Sequence, residues 1–114
     1  MKKYDLDGRF EDFAALIILL FDKTPKSFSA DYLAKQLIRS GCSAALNFGE
    51  FAGAGSDRDR ANKLRITLKE LRESLRNINI QIKADLLKKT DANQILKEND
   101  ELIRIVVTLL KNYN

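Results

Sequence analysis

Six basic residues recur along one predicted helix at spacings that place them on a common face. They lie 7, 4, 3, 4 and 7 residues apart, and at 100° per residue they fall within about 60° of one another. A row of fixed positive charges like this can follow a phosphate backbone. The alternative is a solvated flank, neutralised locally by Glu70 and Glu73. This basic stripe consists of Arg58, Arg65, Lys69, Arg72, Arg76 and Lys83.

The surroundings of the basic stripe indicate which partner it suits. The net charge is +4 and the pI is near 9.3, which is compatible with a polyanion. No aromatic residue interleaves with the stripe in the sequence, and this argues against stacking of single-stranded bases. We therefore expect RNA, or an RNA–protein complex, to be held by its phosphates.

The residue types that dominate catalysis and metal binding are scarce. There is no histidine and only one cysteine, Cys42, so the commonest general base and a thiolate metal cluster are both missing. Carboxylate pairs such as Asp100 and Glu101 lie in plain amphipathic helix. The segment 53–56 leads into a helix N-terminus that could hold an anion, but Asp57 already places negative charge there and favours a simple turn. We expect no enzymatic activity, no metal and no cofactor.

A second polar stripe lies on the preceding predicted helix. Its members share a face about 80° wide, on a helix rich in small residues. This alignment predicts a hydrogen-bonded network facing the next helix or a neighbouring subunit, and an ordinary exposed face is the alternative. Because Glu50 and Arg58 lie on either side of one turn, we expect them to pair. The stripe consists of Gln36, Arg39, Ser43, Asn47 and Glu50.

Three interruptions divide the chain into four helical segments. They lie at 23–26, at 52–55 and near 88–90, in a chain with only one proline and five glycines. We expect helix N-caps at Ser27 or Ser29 and at Ser56, and a fourth helix that starts at Thr90 or Asp91. Short connections predict an all-α, antiparallel up-down-up-down four-helix bundle. The whole chain, 1–114, is predicted to be one domain with helices at about 7–22, 29–51, 57–84 and 91–112.

The third predicted helix carries an apolar heptad seam beside the basic stripe. Its apolar residues recur at alternating spacings of three and four, a pattern that requires a packed partner at a shallow crossing angle. The seam consists of Ala61, Leu64, Leu68, Leu71, Leu75, Ile78 and Ile82.

Motifs within about residues 32–76 resemble those of a known family. They are Gln36–Ser40, Ser43, Asn47, Glu50, Ala52–Ser56, Asp59, Lys63–Leu64, Leu68–Glu70 and Glu73. Together they resemble the four-helix bundle family of 23S ribosomal RNA intervening-sequence proteins, some of which are described as ribosomal-protein-like. The sequence departs from the pattern because Ala44 and Ala45 replace a bulkier pair and the usual aromatic after the glutamate of helix 3 is absent.

The resemblance carries expectations of its own. It implies a bacterial four-helix bundle that forms a homopentameric ring, and it implies no defined reaction. A related bundle, the accessory protein of diversity-generating retroelements, is a basic pentamer that binds nucleic acid and a reverse transcriptase. That relation is an analogy of fold.

The apolar residues exceed what one bundle core needs. The run 14–21 is apolar all round, and the last helix is apolar over most of its circumference. The surplus predicts subunit interfaces, and the family ring suggests five copies in head-to-tail contact. A monomer with scattered exposed aliphatic residues is the alternative. The candidate interface residues are Ile66, Ile80, Ile103, Val107 and Leu110.

The N-terminus and the lone cysteine bear on the compartment. Lys2 and Lys3 precede the apolar run as in a signal peptide, but acidic residues intervene and the run is too short to span a bilayer. We expect a cytoplasmic protein with no membrane partner. The leading hypothesis is a non-enzymatic, self-assembling bundle that binds RNA or a ribonucleoprotein. The alternatives are a purely structural or protein-interaction module, or an accessory protein of a reverse transcriptase.

Overall fold

Four α-helices make up nearly all of the residues that the computed structural model describes, which are 5–22 and 26–113. In these ranges α1 and α3 lie at opposite corners, and each contacts both α2 and α4. Each helix thus packs beside its neighbours in the sequence, which confirms the predicted all-α bundle. The helices are α1 (Leu6–Asp22), α2 (Phe28–Ala52), α3 (Asp57–Lys83) and α4 (Lys89–Leu110), and a 3-10 turn follows at Lys111–Tyr113.

Serine side chains begin two of the helices. Ser27 Oγ accepts a hydrogen bond from Ala30 N at 3.2 Å, and Ser56 Oγ accepts one from Asp59 N at 3.1 Å. Each serine satisfies a first-turn N–H that has no partner within its own helix. The predicted N-caps at Ser27 and Ser56 are therefore confirmed. Of the predicted break at 23–26, residues 23–25 lie outside the described part of the chain.

The connection between α3 and α4 differs from the prediction at both ends. Asp85 adopts a left-handed backbone conformation with φ 59°, which a short polar side chain tolerates. Leu86 N donates to Gln81 O, and Asp85 N donates to Ile82 O, so α3 ends at Lys83 in a Schellman motif. At the other end, α4 begins at Lys89, one or two residues before the predicted start at Thr90 or Asp91, and Lys88 at the N-cap position makes no side-chain cap.

Close packing of α1 on α2 encloses one side of the core. Phe10 stacks on Phe48 with ring centroids 4.3 Å apart. At Gly41, an added Cβ would lie only 2.6 Å from Ile17 Cδ1, so glycine is what allows the two helices this approach. The contact of α1 with α4 is less extensive and includes the ion pair between Arg9 and Glu98, with Nη2 and Oε1 at 2.7 Å.

The apolar seam of α3 is buried as predicted along most of its length, and Leu75 and Ile82 remain half-buried. One polar side chain enters this apolar packing from α4. Asn99 is fully buried, and its amide, oriented to match its neighbours, donates to Leu71 O at 3.1 Å and accepts from Leu75 N at 3.3 Å. It thus joins α4 directly to the backbone of α3.

Candidate nucleic-acid interface

All six residues of the basic stripe are exposed along the outer side of α3. The middle four, Arg65, Lys69, Arg72 and Arg76, line a groove of about 620 Å³. The same groove is lined by apolar residues, Leu33 from α2 with Leu68 and Ile80 from α3. Glu73 and Asn77 also line it, so the groove combines four cations and one carboxylate with apolar side chains.

The positive charge of the stripe is not neutralised within the described ranges of the chain. None of its six residues has a carboxylate within 4.0 Å there. The two glutamates that could have paired with it on α3 are instead held by Arg39 of α2. Arg39 Nη1 lies 3.2 Å from Glu70 Oε2, and Nη2 lies 2.8 Å from Glu73 Oε2. The α2–α3 contact therefore takes up the acidic charge and leaves the stripe cationic.

The ionisation of Glu73 responds to this arrangement. Its pKa is lowered, chiefly by hydrogen bonding with the Glu70 carboxyl and next by the Arg39 guanidinium. The charge of Lys69 contributes a smaller lowering. The pKa of Arg39 is raised in turn, first through its hydrogen bond to Glu73. Both groups therefore stay charged at neutral pH, and the pairing persists there.

The second polar stripe forms only part of the expected network. Gln36 accepts a hydrogen bond from Arg39, and Asn47 Nδ2 donates to Ser43 O and Ser43 Oγ within α2 itself. Asn47 is half-buried, whereas Glu50 is exposed. Asn47 is thus partly buried and hydrogen-bonded, as expected, but its bonds among the described residues stay within α2.

The predicted pair between Glu50 and Arg58 is wrong. Glu50 pairs with Lys63 instead, because the register of the two helices brings Glu50 level with the second turn of α3. Arg58, in the first turn, remains exposed on the outer side.

A buried polar row that the sequence patterns did not reveal joins α2 to α3. Ser40 Oγ and Ser74 Oγ lie 2.6 Å apart, and Asn77 Nδ2 donates to Leu33 O at 3.0 Å. The α3 members recur at spacings of three and four, as the apolar seam does, and this period was the signal available in the sequence. The row on α3 is Thr67, Glu70, Ser74, Asn77 and Gln81, all buried.

The predicted interface residues differ in exposure. Ile80 is exposed and belongs to the groove, whereas Ile66, Ile103, Val107 and Leu110 are half-buried. The three on α4 pack against the core. Larger apolar exposure lies on α1, within the apolar run 14–21 that the interface prediction invoked, and on α2, which that prediction did not include. The exposed large apolar residues other than Ile80 are Ile18, Leu19, Phe28, Tyr32 and Leu46.

Two kinds of feature are absent from the described residues. None of the described helices combines the length and the apolar character needed to cross a bilayer. Within ranges 5–22 and 26–113, no cluster of three or more cysteine or acidic side chains could hold a metal ion.

Comparison with known proteins relates this geometry to a family. The family model described as 23S rRNA-intervening sequence protein matches residues 4–108. A solved structure of a protein with unknown function, from the S23 ribosomal protein family of Bacteroides thetaiotaomicron VPI-5482, is similar with a TM-score of 0.84. The two chains are 24% identical over 94% of this chain and 99% of the other, a likeness that establishes the shared fold. No curated protein matches. With nearly its whole length matched, this chain belongs to the 23S rRNA-intervening sequence protein family.

Proposed function

We propose that this protein is a non-enzymatic RNA-binding bundle that holds RNA phosphates along the basic stripe. One observation carries the proposal: the stripe is exposed and unpaired within the described chain, while Glu70 and Glu73 are turned to Arg39. A cation without a protein partner is free to replace the counterions of a phosphate, and the released counterions drive binding.

The spacing of the stripe supports contact with several phosphates. The segment from Arg65 to Arg76 extends about 16 Å along α3 at 1.5 Å per residue. The side chains belong to one rigid helix, so little backbone entropy is lost when they bind. Contacts to phosphates fix position and carry no sequence information. Recognition through the stripe alone should therefore be independent of base sequence.

A charge-matched pair of variants tests the proposal. The first replaces Arg65, Lys69, Arg72 and Arg76 with Gln. The control replaces four exposed basic residues elsewhere on the surface with Gln, and both variants lose four positive charges from a net charge of +4. The control positions are Lys35, Lys97, Arg104 and Lys111.

The salt dependence of RNA affinity is the measurement. We expect the stripe variant to lose binding and the control to keep most of it. In a plot of log affinity against log salt concentration, each phosphate contact that is removed should make the slope shallower than that of wild type by about 0.7–0.9. Equal losses in both variants would mean that only net charge matters. If structured ribosomal RNA, single strands and duplex all fail to bind wild type at low salt, the RNA proposal is refuted. A purely structural or protein-interaction module with no nucleic acid then becomes the better candidate.

We also propose that the protein assembles with copies of itself, as a cytoplasmic homo-oligomer. The support is the exposed apolar surface of α1 and α2, where Leu19 is 61% and Leu46 is 69% exposed. A ring of five follows from the family resemblance, and head-to-tail contacts would close it. Light scattering at micromolar concentration tests this proposal. A mass near 13.0 kDa would refute assembly, and a dimer or tetramer would refute the pentamer alone.

A further inference from the structure

The register between α2 and α3 brings an aromatic residue of α2 level with one end of the basic groove. Arg39 of α2 reaches Glu73 of α3, with Nη2 and Oε2 2.8 Å apart. Seven residues is two turns of helix and returns to within about 20° of the same face. In an antiparallel pair, a step of seven back along α2 therefore matches a step of seven forward along α3. These steps lead from Arg39 to Tyr32 and from Glu73 to Ile80.

Independent contacts support this register on both sides of the Arg39 pair. Asn77 of α3 donates to the backbone of Leu33, the residue that follows Tyr32. Ser40 and Ser74 also meet, and each follows directly after Arg39 or Glu73 in its own helix. Tyr32 is consequently level with the C-terminal half of the stripe, although it lies on another helix.

Both members of the Tyr32–Ile80 pair are open to solvent. Tyr32 is 56% exposed and Ile80 is 46% exposed. Ile80 lines the main groove and also a second one of about 410 Å³, and Arg72 and Arg76 line both. Lys83 lines the second groove. By this register, the exposed Tyr32 is level with a surface that three cations and Ile80 line.

We infer that this groove takes single-stranded RNA in preference to duplex, with an unpaired base stacked on Tyr32. The inference rests on the proposed function and specifies its substrate class. A base has an apolar face that an exposed ring and Ile80 can cover, and its phosphates can lie along the cations. In a duplex the bases are stacked on each other and the ring has no face to meet.

Three RNA probes, each about 12 nucleotides long so that they exceed the ~16 Å of the stripe, separate base stacking from phosphate contact. They are an oligoadenylate strand, an abasic strand with the same phosphate spacing, and a blunt duplex. They are tested against wild type, Tyr32→Leu, which removes the ring, and Tyr32→Phe, which keeps it. The protein has no tryptophan, so Tyr32→Trp supplies a single reporter whose fluorescence a stacked base quenches.

For wild type, we expect the oligoadenylate strand to bind on the order of ten-fold more tightly than the abasic strand. Tyr32→Leu should lower oligoadenylate affinity to the abasic level and leave abasic affinity unchanged. Tyr32→Phe should bind like wild type. In Tyr32→Trp, the oligoadenylate strand should quench the indole fluorescence, whereas the abasic strand should leave it unchanged.

Five results would overturn the inference. Equal affinity for the oligoadenylate and abasic strands would exclude base stacking, and so would full oligoadenylate binding by Tyr32→Leu. In either case the proposed phosphate contact would stand if the stripe variant still failed to bind. Preference for duplex would also overturn it. If Tyr32→Leu changed the light-scattering mass and not the RNA affinity, Tyr32 would be a contact between copies. Failure of every probe with wild type would remove the proposed function together with the inference.

Discussion

The close approach of α1 to α2 at Gly41 gives a sharp test of the packing. Alanine in a helix interior is favoured over glycine by about 0.8–1.0 kcal/mol. At position 41, however, the new Cβ would lie 2.6 Å from Ile17 Cδ1, so the fully buried Ile17 side chain would have to shift within the core. Overpacking costs about 1–3 kcal/mol. We therefore expect Gly41→Ala to destabilise the fold by about 1 kcal/mol in net terms.

Two further variants isolate the clash. Gly49 is on the same helix, and a Cβ added there would have nothing within 4 Å, so Gly49→Ala should stabilise by about 0.5–1 kcal/mol. Ile17→Val removes Cδ1 and should cost about 0.5–1.5 kcal/mol alone. Combined with Gly41→Ala it should bring stability back close to wild type, a coupling on the order of 1–2 kcal/mol.

Urea unfolding followed by circular dichroism, at one protein concentration, measures wild type and these variants together. A steric clash between position 41 and Ile17 is excluded if Gly41→Ala stabilises as much as Gly49→Ala, or if the effects of Gly41→Ala and Ile17→Val simply add.

Two other predictions concern the polar contacts of α3. Asn99→Leu should destabilise by about 1–3 kcal/mol, because it removes the amide that bonds the backbone at Leu71 and places a larger apolar group in a closed site; an unchanged urea midpoint would contradict that role. The pKa of Glu73 is lowered first by its hydrogen bond with Glu70 and next by Arg39, so these interactions of the charged carboxylate stabilise the fold fully above the ordinary value of 4.5, and the contribution is lost as pH falls through the lowered pKa. Glu73→Gln should therefore flatten the stability profile below about pH 4.5, and an unaltered acid limb would count against the pairing.

Apolar periodicity predicted the fold because the residues that recur at helical spacing are also the residues that are buried. The seam through Leu64, Leu71 and Ile78 could have only one buried face, and short connections then set the order of the helices. Serine N-caps were predictable for a local reason: Ser56 bonds an N–H three residues away. The start of α4 was missed because Lys88 provides no side-chain cap to detect.

The site was less predictable because its parts come from different helices. Polar residues such as Ser74 and Asn77 have seam spacing, but polarity alone suggests solvent exposure until a partner on α2 is known. Tyr32 was overlooked for the same reason, since aromatic residues were sought within the stripe itself. Only the register of α2 against α3 brings Tyr32 level with Ile80. That register depends on pairs such as Ser40–Ser74, which no single-helix pattern contains.

The diagonal placement of α1 and α3 has an electrical consequence. The outer side of α1 carries exposed carboxylates at Glu11, Asp12 and Asp22, while the outer side of α3 carries the basic stripe. These two sets of charge therefore lie on helices at opposite corners of the bundle. Under the proposed RNA binding, this separation should turn the α3 side towards the polyanion before contact. Low ionic strength should lengthen the range over which this rotation acts.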